Sequence, residues 1–409
     1  MKKFSLLGIC LFGAFALSAQ TEVMKEVEQA LKGANPDYAA ALAKIKPALT
    51  DETTKNDPLA WKLAGQANEG IYDSFFKQMM LGSELSNDDK KKAGTALLEC
   101  YNDYLTAIPM DQHPDKKGVM KPGKLVKGMV KTLSDNYPHL QRAGVLLFEA
   151  GDYNGAYDVW EMYVNVPQNP VLGNNAPKAD PDTAVGQIMY YQLLSALSAN
   201  ENKKALDKVE PIIKSGYNNI DTYVYGIEAA RRLNDSIAMY ELAKRGYEKY
   251  GTENISFIGE LINDRLNKED FAGCETLVAE AIAATPDTNT VIKSQLYDIL
   301  GIVYEQQNND AKAIENLNKA IELSPKTAKN YYDLARIIYN QAVKLDETVE
   351  TEEQRKAEVD PKLLEAAKYF EKAYSLDSEN LDKIPNILYR LYYRLGDGYQ
   401  DKAEEWSNK

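Results

Sequence analysis

The sequence predicts an all-α protein, on three observations. Ala, Leu, Tyr, Lys and Glu recur along its 409 residues, while runs dense in Val, Ile and Thr are nearly absent, a bias toward helix over strand. Apolar residues return at i, i+3, i+4 and i+7 in one segment after another, the period of a helix with one buried face. Small residues recur inside those stripes, where a bulky side chain would keep two helices apart.

Residues 297–325, "YDILGIVYEQQNNDAKAIENLNKAIELSP", show all three. Tyr297, Leu300, Gly301 and Tyr304 form one helical stripe, "QNND" breaks the helix, and Ala313, Leu317 and Ala320 form a second stripe before Pro325 ends it. Two such short helices cannot bury both stripes alone and need neighbours stacked on either side. Gly301 and Ala313 mark the close crossing, where extra methylenes cost about 1–3 kcal/mol.

These residues resemble the tetratricopeptide repeat, a helix–turn–helix unit with W-x2-L-G-x2-Y, then A-x3-F, then A and P. Tyr297 stands for the Trp and Leu317 for the Phe, and the other six positions match. The register continues at Tyr331, Leu334 and Ala335, and resumes at Ala366, Phe370 and Ala373 after a nineteen-residue acidic insertion. Earlier units are read at Asp37, Tyr38, Ala41, Ile45 and Ala48; at Gly151, Asp152, Tyr153, Ala156 and Trp160; and at Asp270, Phe271, Cys274, Val278, Ala281 and Pro286. Weaker units fit around 58–110, 186–219 and 220–253, the first with Trp61 and Gly65, and "NILYRLYYRLGDGYQDKAEEW" reads as a terminal capping pair. The resemblance implies a right-handed superhelical solenoid of about nine helix pairs.

The expected organisation is a signal peptide over 1–19, an N-terminal repeat block over 20–165, a Pro/Asn-rich connector over 166–184, and a C-terminal block with capping helices over 185–409. The signal reading rests on Lys2 and Lys3, the apolar run Phe4 to Ala16, and Ala19 before Gln20, where cleavage is expected. The run is shorter than the ~20 residues a spanning helix needs. Ile9 before Cys10 argues against lipidation of that cysteine. Cleavage deletes two lysines and no acid, taking the net charge from −13 to −15. An exported protein this acidic repels nucleic acid. Cys100 and Cys274 then remain, at positions where the repeat takes Ala, and read as small buried hydrophobes.

Two stretches depart from the pattern. Residues 166–183, "VPQNPVLGNNAPKADPDT", are an ordered connector, a hinge or a binding loop. Between Asp115 and Asp135 lie six lysines and no acid. The segment "GVMKPGKL" there approaches a phosphate-binding loop. Leu125 replaces the required hydroxyl, Pro122 removes an N–H, and no strand is expected before it. What remains is a loop and then a helix with Leu125, Met129, Val130 and Leu133 inward and Lys124, Lys127 and Lys131 outward, a solvated face or a dock for an acidic partner.

Catalysis is not expected. There are two histidines, His113 and His139, each beside a proline, and no metal-ligand or nucleophile motif. No cofactor or metal ligand is assigned. A binding surface is expected instead. By the resemblance, the second, fifth, ninth, twelfth and thirteenth positions of each unit face the concave groove. In the unit starting at 328 these are Lys329, Tyr332, Arg336, Tyr339 and Asn340; in the terminal unit they are Lys383, Asn386, Arg390, Tyr393 and Arg394. They make a basic, aromatic stripe suited to an acidic peptide or protein. The whole resembles exported tetratricopeptide-repeat proteins of the Bacteroidetes, which implies a periplasmic scaffold. The alternative is a glycan-binding protein like the helical starch-binding outer-membrane proteins of the same bacteria.

Overall fold

In a computed structural model the chain is described over residues 20–396 and 398–409. The expected signal peptide lies outside the described residues. Among these residues the fold is helical apart from one short hairpin, and the chain divides into two compact units between Asn234 and Asp235.

The first unit contains α1 (20–31), α2 (Tyr38–Ile45), α3 (Pro58–Met80) and α4 (Asn87–Met110). After the hairpin come α5 (Val126–Asn136), α6 (His139–Glu149), α7 (Tyr153–Asn165), α8 (Asp182–Ser198), α9 (Asn202–Lys214) and α10 (Asp221–Arg232). Helices α3 and α4, α6 and α7, and α8 and α9 pack as antiparallel pairs, each also touching the next helix in line. Ala41, Ile45 and Ala48 are buried with Met24 and Val27 of α1. The small positions act as the sequence requires: a Cβ on Gly65 would lie 2.5 Å from the Tyr104 ring, so α3 and α4 approach only because that atom is missing.

The second unit opens with α11 (Ser236–Tyr250) and continues as α12 (Ser256–Asn267) with α13 (Phe271–Ala284), then α14 (Thr290–Gln306) with α15 (Asp310–Leu323). Helix α16 (Ala328–Asp346) follows. A short α17 (Glu352–Gln354) then runs through a π turn at Arg355–Val359 into its partner α18 (Asp360–Leu376), and α19 (Ile384–Leu395) pairs with α20 (Gln400–Ser407). Ala313, Leu317 and Ala320 are fully buried, and so are Leu334, Ala335, Ala366 and Ala373. A Cβ on Gly301 would sit 2.9 Å from Leu317 Cγ. Part of the acidic insertion is thus a helical lead into α18, started by a capping box between Thr351 and Gln354.

One turn recurs between paired helices. A residue with positive φ precedes the N-cap residue of the next helix: Gly151 before Asp152, Asn200 before Glu201, Glu269 before Asp270, Asn308 before Asn309. Asp152, Asp270 and Asn309 cap the helix that follows by accepting from backbone N–H groups three residues on. Gly and Asn take the left-handed conformation readily; Glu269 does so at a cost.

Residues 166–184 pack against the first unit as a connector: Val166 and Leu172 are buried, Ser134 Oγ donates to the Asn175 carbonyl at 2.9 Å, and the Tyr163 hydroxyl bonds Asp180. One expectation needs revision. The lysine-rich loop is not strand-free. Gln112–Pro114 (β1) pairs antiparallel with Met120–Pro122 (β2). Buried Asp111 anchors the hairpin: its carbonyl accepts from Gly123 N at 2.7 Å and its carboxylate from Leu125 N at 2.8 Å. The helix after it is as expected, with Met129, Val130 and Leu133 buried, Leu125 partly so, and Lys124, Lys127 and Lys131 exposed. Cys100 and Cys274 are free, buried thiols.

Candidate functional site

The predicted groove residues lie on two first helices of the second unit, α16 and α19, with Lys383 at the N-cap of α19, and the structure treats the two sets differently. On α16 the cations are consumed by the fold. Lys329 pairs with Asp298 of α14 and, at 2.6 Å, with Asp333. Arg336 holds Glu305 of α14 through both guanidinium ends, at 2.5 and 2.8 Å, and reaches Asp333 at 3.3 Å. Asp298, Glu305 and Asp333 outnumber the two bases, so this part of the stripe is not basic. Burial raises the Asp298 carboxyl above its usual range; Lys329 only partly offsets it, and Asp333 adds to the rise.

The α16 aromatics are also partly structural. Tyr332 packs edge-on against Phe370 at 5.7 Å, and Tyr339 rests half-buried on the same core. Beneath them Asn330 Nδ2 donates to Ser294 Oγ at 2.9 Å, and Ser294 Oγ donates to the Ala320 carbonyl at 2.8 Å. This buried chain ties α14, α15 and α16 into one block. Asn340 is exposed.

On α19 the side chains stay open. Lys383, Asn386 and Arg390 are exposed, and among the described residues neither Lys383 nor Arg390 has an ion-pair partner. Tyr393 is 73% exposed, with its ring 6.0 Å from that of Tyr389. Arg394 is different: it pairs with Asp346 at the end of α16 and fixes α19 in place. The predicted stripe therefore divides into a neutralised block on α16 and an open patch of Lys383, Asn386, Tyr389, Arg390 and Tyr393 on α19.

Sequence reading missed the acids because it took two units in isolation. Applied to the unit starting at 294, the same five positions give Gln295, Asp298, Ile302, Glu305 and Gln306. The pairs join the second position of one unit to the fifth of the unit before it, and the ninth to the twelfth, so the pairing was within reach of the pattern.

Among the described residues no group of three or more His, Cys, Asp and Glu is placed to hold a metal ion. His113 Nε2 is hydrogen-bonded to Asp111 Oδ1 at 2.9 Å in the hairpin base, and His139 packs its ring 4.5 Å from Phe76.

Comparison with known proteins adds the following. No family model matches the chain, and no curated protein sequence matches it. Among solved structures, YrrB, described as a TPR protein with an unusual peptide-binding site, is 16% identical over 49% of this chain and 93% of its own, with a TM-score of 0.34. The C-terminal part of a TPR repeat-containing protein from Cytophaga hutchinsonii is 15% identical over 65% of this chain and 92% of that one, with a TM-score of 0.41. MamA from Desulfovibrio magneticus RS-1 is 15% identical over 47% and 95%, with a TM-score of 0.33. What decides the fold is the packing itself, with Gly301, Tyr304, Ala313, Leu317 and Ala320 all buried between paired helices in the expected register.

These are tetratricopeptide-type helix pairs. The first helices α16 and α19 carry, respectively, an ion-paired base and an open aromatic–basic patch.

Proposed function

We propose that the chain is an exported interaction scaffold that holds a protein or peptide partner on its first-helix face and performs no chemistry. The observation that carries this reading is the α19 patch. Tyr393 is largely exposed beside Tyr389 and an unpaired Arg390, and exposed aromatics with Arg are the usual anchors of protein interfaces. Lys383 and Arg390, without an ion-pair partner among the described residues, call for an acidic surface on the partner.

Export rests on the N-terminal segment read from the sequence. Among the described residues no helix is long and apolar enough to cross a membrane. Mass spectrometry of the protein made in its own host tests it: a mature chain starting at Gln20 is expected, and a retained Met1 would refute it.

The binding claim is tested by pull-down from the same cells with wild type and with Lys383→Glu/Arg390→Glu/Tyr393→Ala. These exposed positions bear on no buried contact, so loss of one defined partner at unchanged thermal stability supports the reading. Equal recovery by both refutes it. Arg336 is unsuitable as a probe, because it holds α14 to α16.

A further inference from the structure

The first unit carries a separate cleft of about 760 Å3, formed where α2 and α4 stand apart on the same side of α3. A volume of that size suits a side chain or small ligand. Its apolar lining includes Ile71 and Phe75 of α3 and Leu42 of α2, with Leu49 just beyond. At its base lies Asp103, 5% exposed, with Asn68 Nδ2 donating to Oδ2 at 2.9 Å. Among the described residues that is the one side-chain hydrogen bond to the carboxylate, and its other oxygen, Oδ1, is not sealed from solvent.

The charges around the cleft are unbalanced. Lys91 pairs with Asp152 at 3.1 Å and Lys92 with Asp89 at 3.6 Å, so both ammonium groups are taken by acids that do not line the cleft. That leaves Asp88, Glu99 and Asp103 facing one ammonium, Lys46, none of them ion-paired among the described residues. An apolar slot ending in a half-satisfied carboxylate, with acids at its mouth, matches a long aliphatic stem with a cationic head.

We infer that this cleft is a second recognition site, which takes a Lys or Arg side chain of a partner segment with its stem on Ile71 and Phe75 and its head on Asp103. The site belongs to the first unit, whereas the α19 patch belongs to the second, and it selects the opposite charge. A lone buried carboxylate here is held partly protonated. Burial, reinforced by Glu99, pushes Asp103 up to about 7, while Asn68 and Lys46 pull the other way. The Cys100 thiol and Glu69, behind Asp103 in the core, are themselves raised by burial and add no cation. Binding a cation requires the ionised carboxylate, so affinity falls about tenfold between pH 8 and pH 6, as the ionised fraction drops.

The test uses the full chain carrying Lys383→Glu/Arg390→Glu, which silences the α19 patch, in selection of a random dodecapeptide display library at pH 8. Peptides with one invariant Lys or Arg beside apolar residues are expected. The tightest of them should lose tenfold or more in affinity with Asp103→Asn, and likewise with Glu99→Lys, an exposed change that leaves the core untouched. Its affinity for the parent should fall about tenfold from pH 8 to pH 6. A selection without such a residue, or affinity unchanged by both substitutions, or no dependence on pH, overturns the inference.

Discussion

Replacing Asp103 by Asn should stabilise the protein at neutral pH and leave it almost unchanged in acid. The carboxyl is 5% exposed and titrates near 7 in the folded protein, against about 3.9 in an unfolded chain. The folded pKa is the higher one, so the folded state holds the proton between pH 4 and 7 while the unfolded state has lost it. The stability this contributes is fully present below about pH 4 and is lost as pH rises through 7. At 1.36 kcal/mol per unit, the loss is about 4 kcal/mol by pH 8. Asn keeps a neutral, isosteric group at every pH and still accepts from Asn68. The variant should therefore match wild type within about 1 kcal/mol at pH 4 and exceed it by up to about 4 kcal/mol at pH 8. The assay is urea unfolding at half-unit pH steps in a Trp406→Phe background, which leaves Trp61 and Trp160, both in the first unit, as fluorescence reporters. A difference that does not grow with pH, or a variant less stable at pH 8, would refute the account of this site.

Three further outcomes follow from the same geometry. Arg336→Glu places a third acid beside Glu305 and Asp333 and should cost roughly 2–4 kcal/mol, whereas Arg390→Glu should change stability by less than about 0.5 kcal/mol; thermal melts distinguish them. Gly301→Val drives a branched side chain toward Leu317 Cγ and the Ala313 carbonyl, 2.9 and 3.3 Å from the Cβ position, and should destabilise by about 1–3 kcal/mol in urea titration. Glu269→Gly relieves a left-handed backbone that Glu adopts unwillingly, at φ 56°, and should gain up to about 1 kcal/mol by the same titration.

The helix pairs were legible because packing writes itself into spacing. Gly65, Gly301 and Ala313 are small where helices cross, and Asp152, Asp270 and Asn309 sit where turns must be capped. Pairs with polar buried positions were harder to read. Gln192 and Ser195 interrupt the apolar stripe of α8, yet both are fully buried. The hairpin was invisible because Pro114 and Pro122 occupy its two short strands, against ordinary strand preference. It forms because Asp111 gathers the backbone of Gly123 and Leu125. For the candidate site, the positions facing the groove were legible but their charge state was not. Lys329 and Arg336 read as free cations until α14 supplied Asp298 and Glu305. The cleft escaped notice for a related reason: Asn68 and Asp103, thirty-five positions apart, look like exposed polar residues until α3 and α4 bring them together in the interior.

Position-resolved photo-crosslinking tests the scaffold reading most directly. A benzoylphenylalanine at Asn386, in the open patch on α19, and another at exposed Glu404 on the paired second helix α20 sample the two sides of the terminal pair. Irradiation in the native cells should trap one defined partner from position 386, lost with Arg390→Glu, and none from position 404. The same partner from both positions, or from 404 alone, would contradict the account.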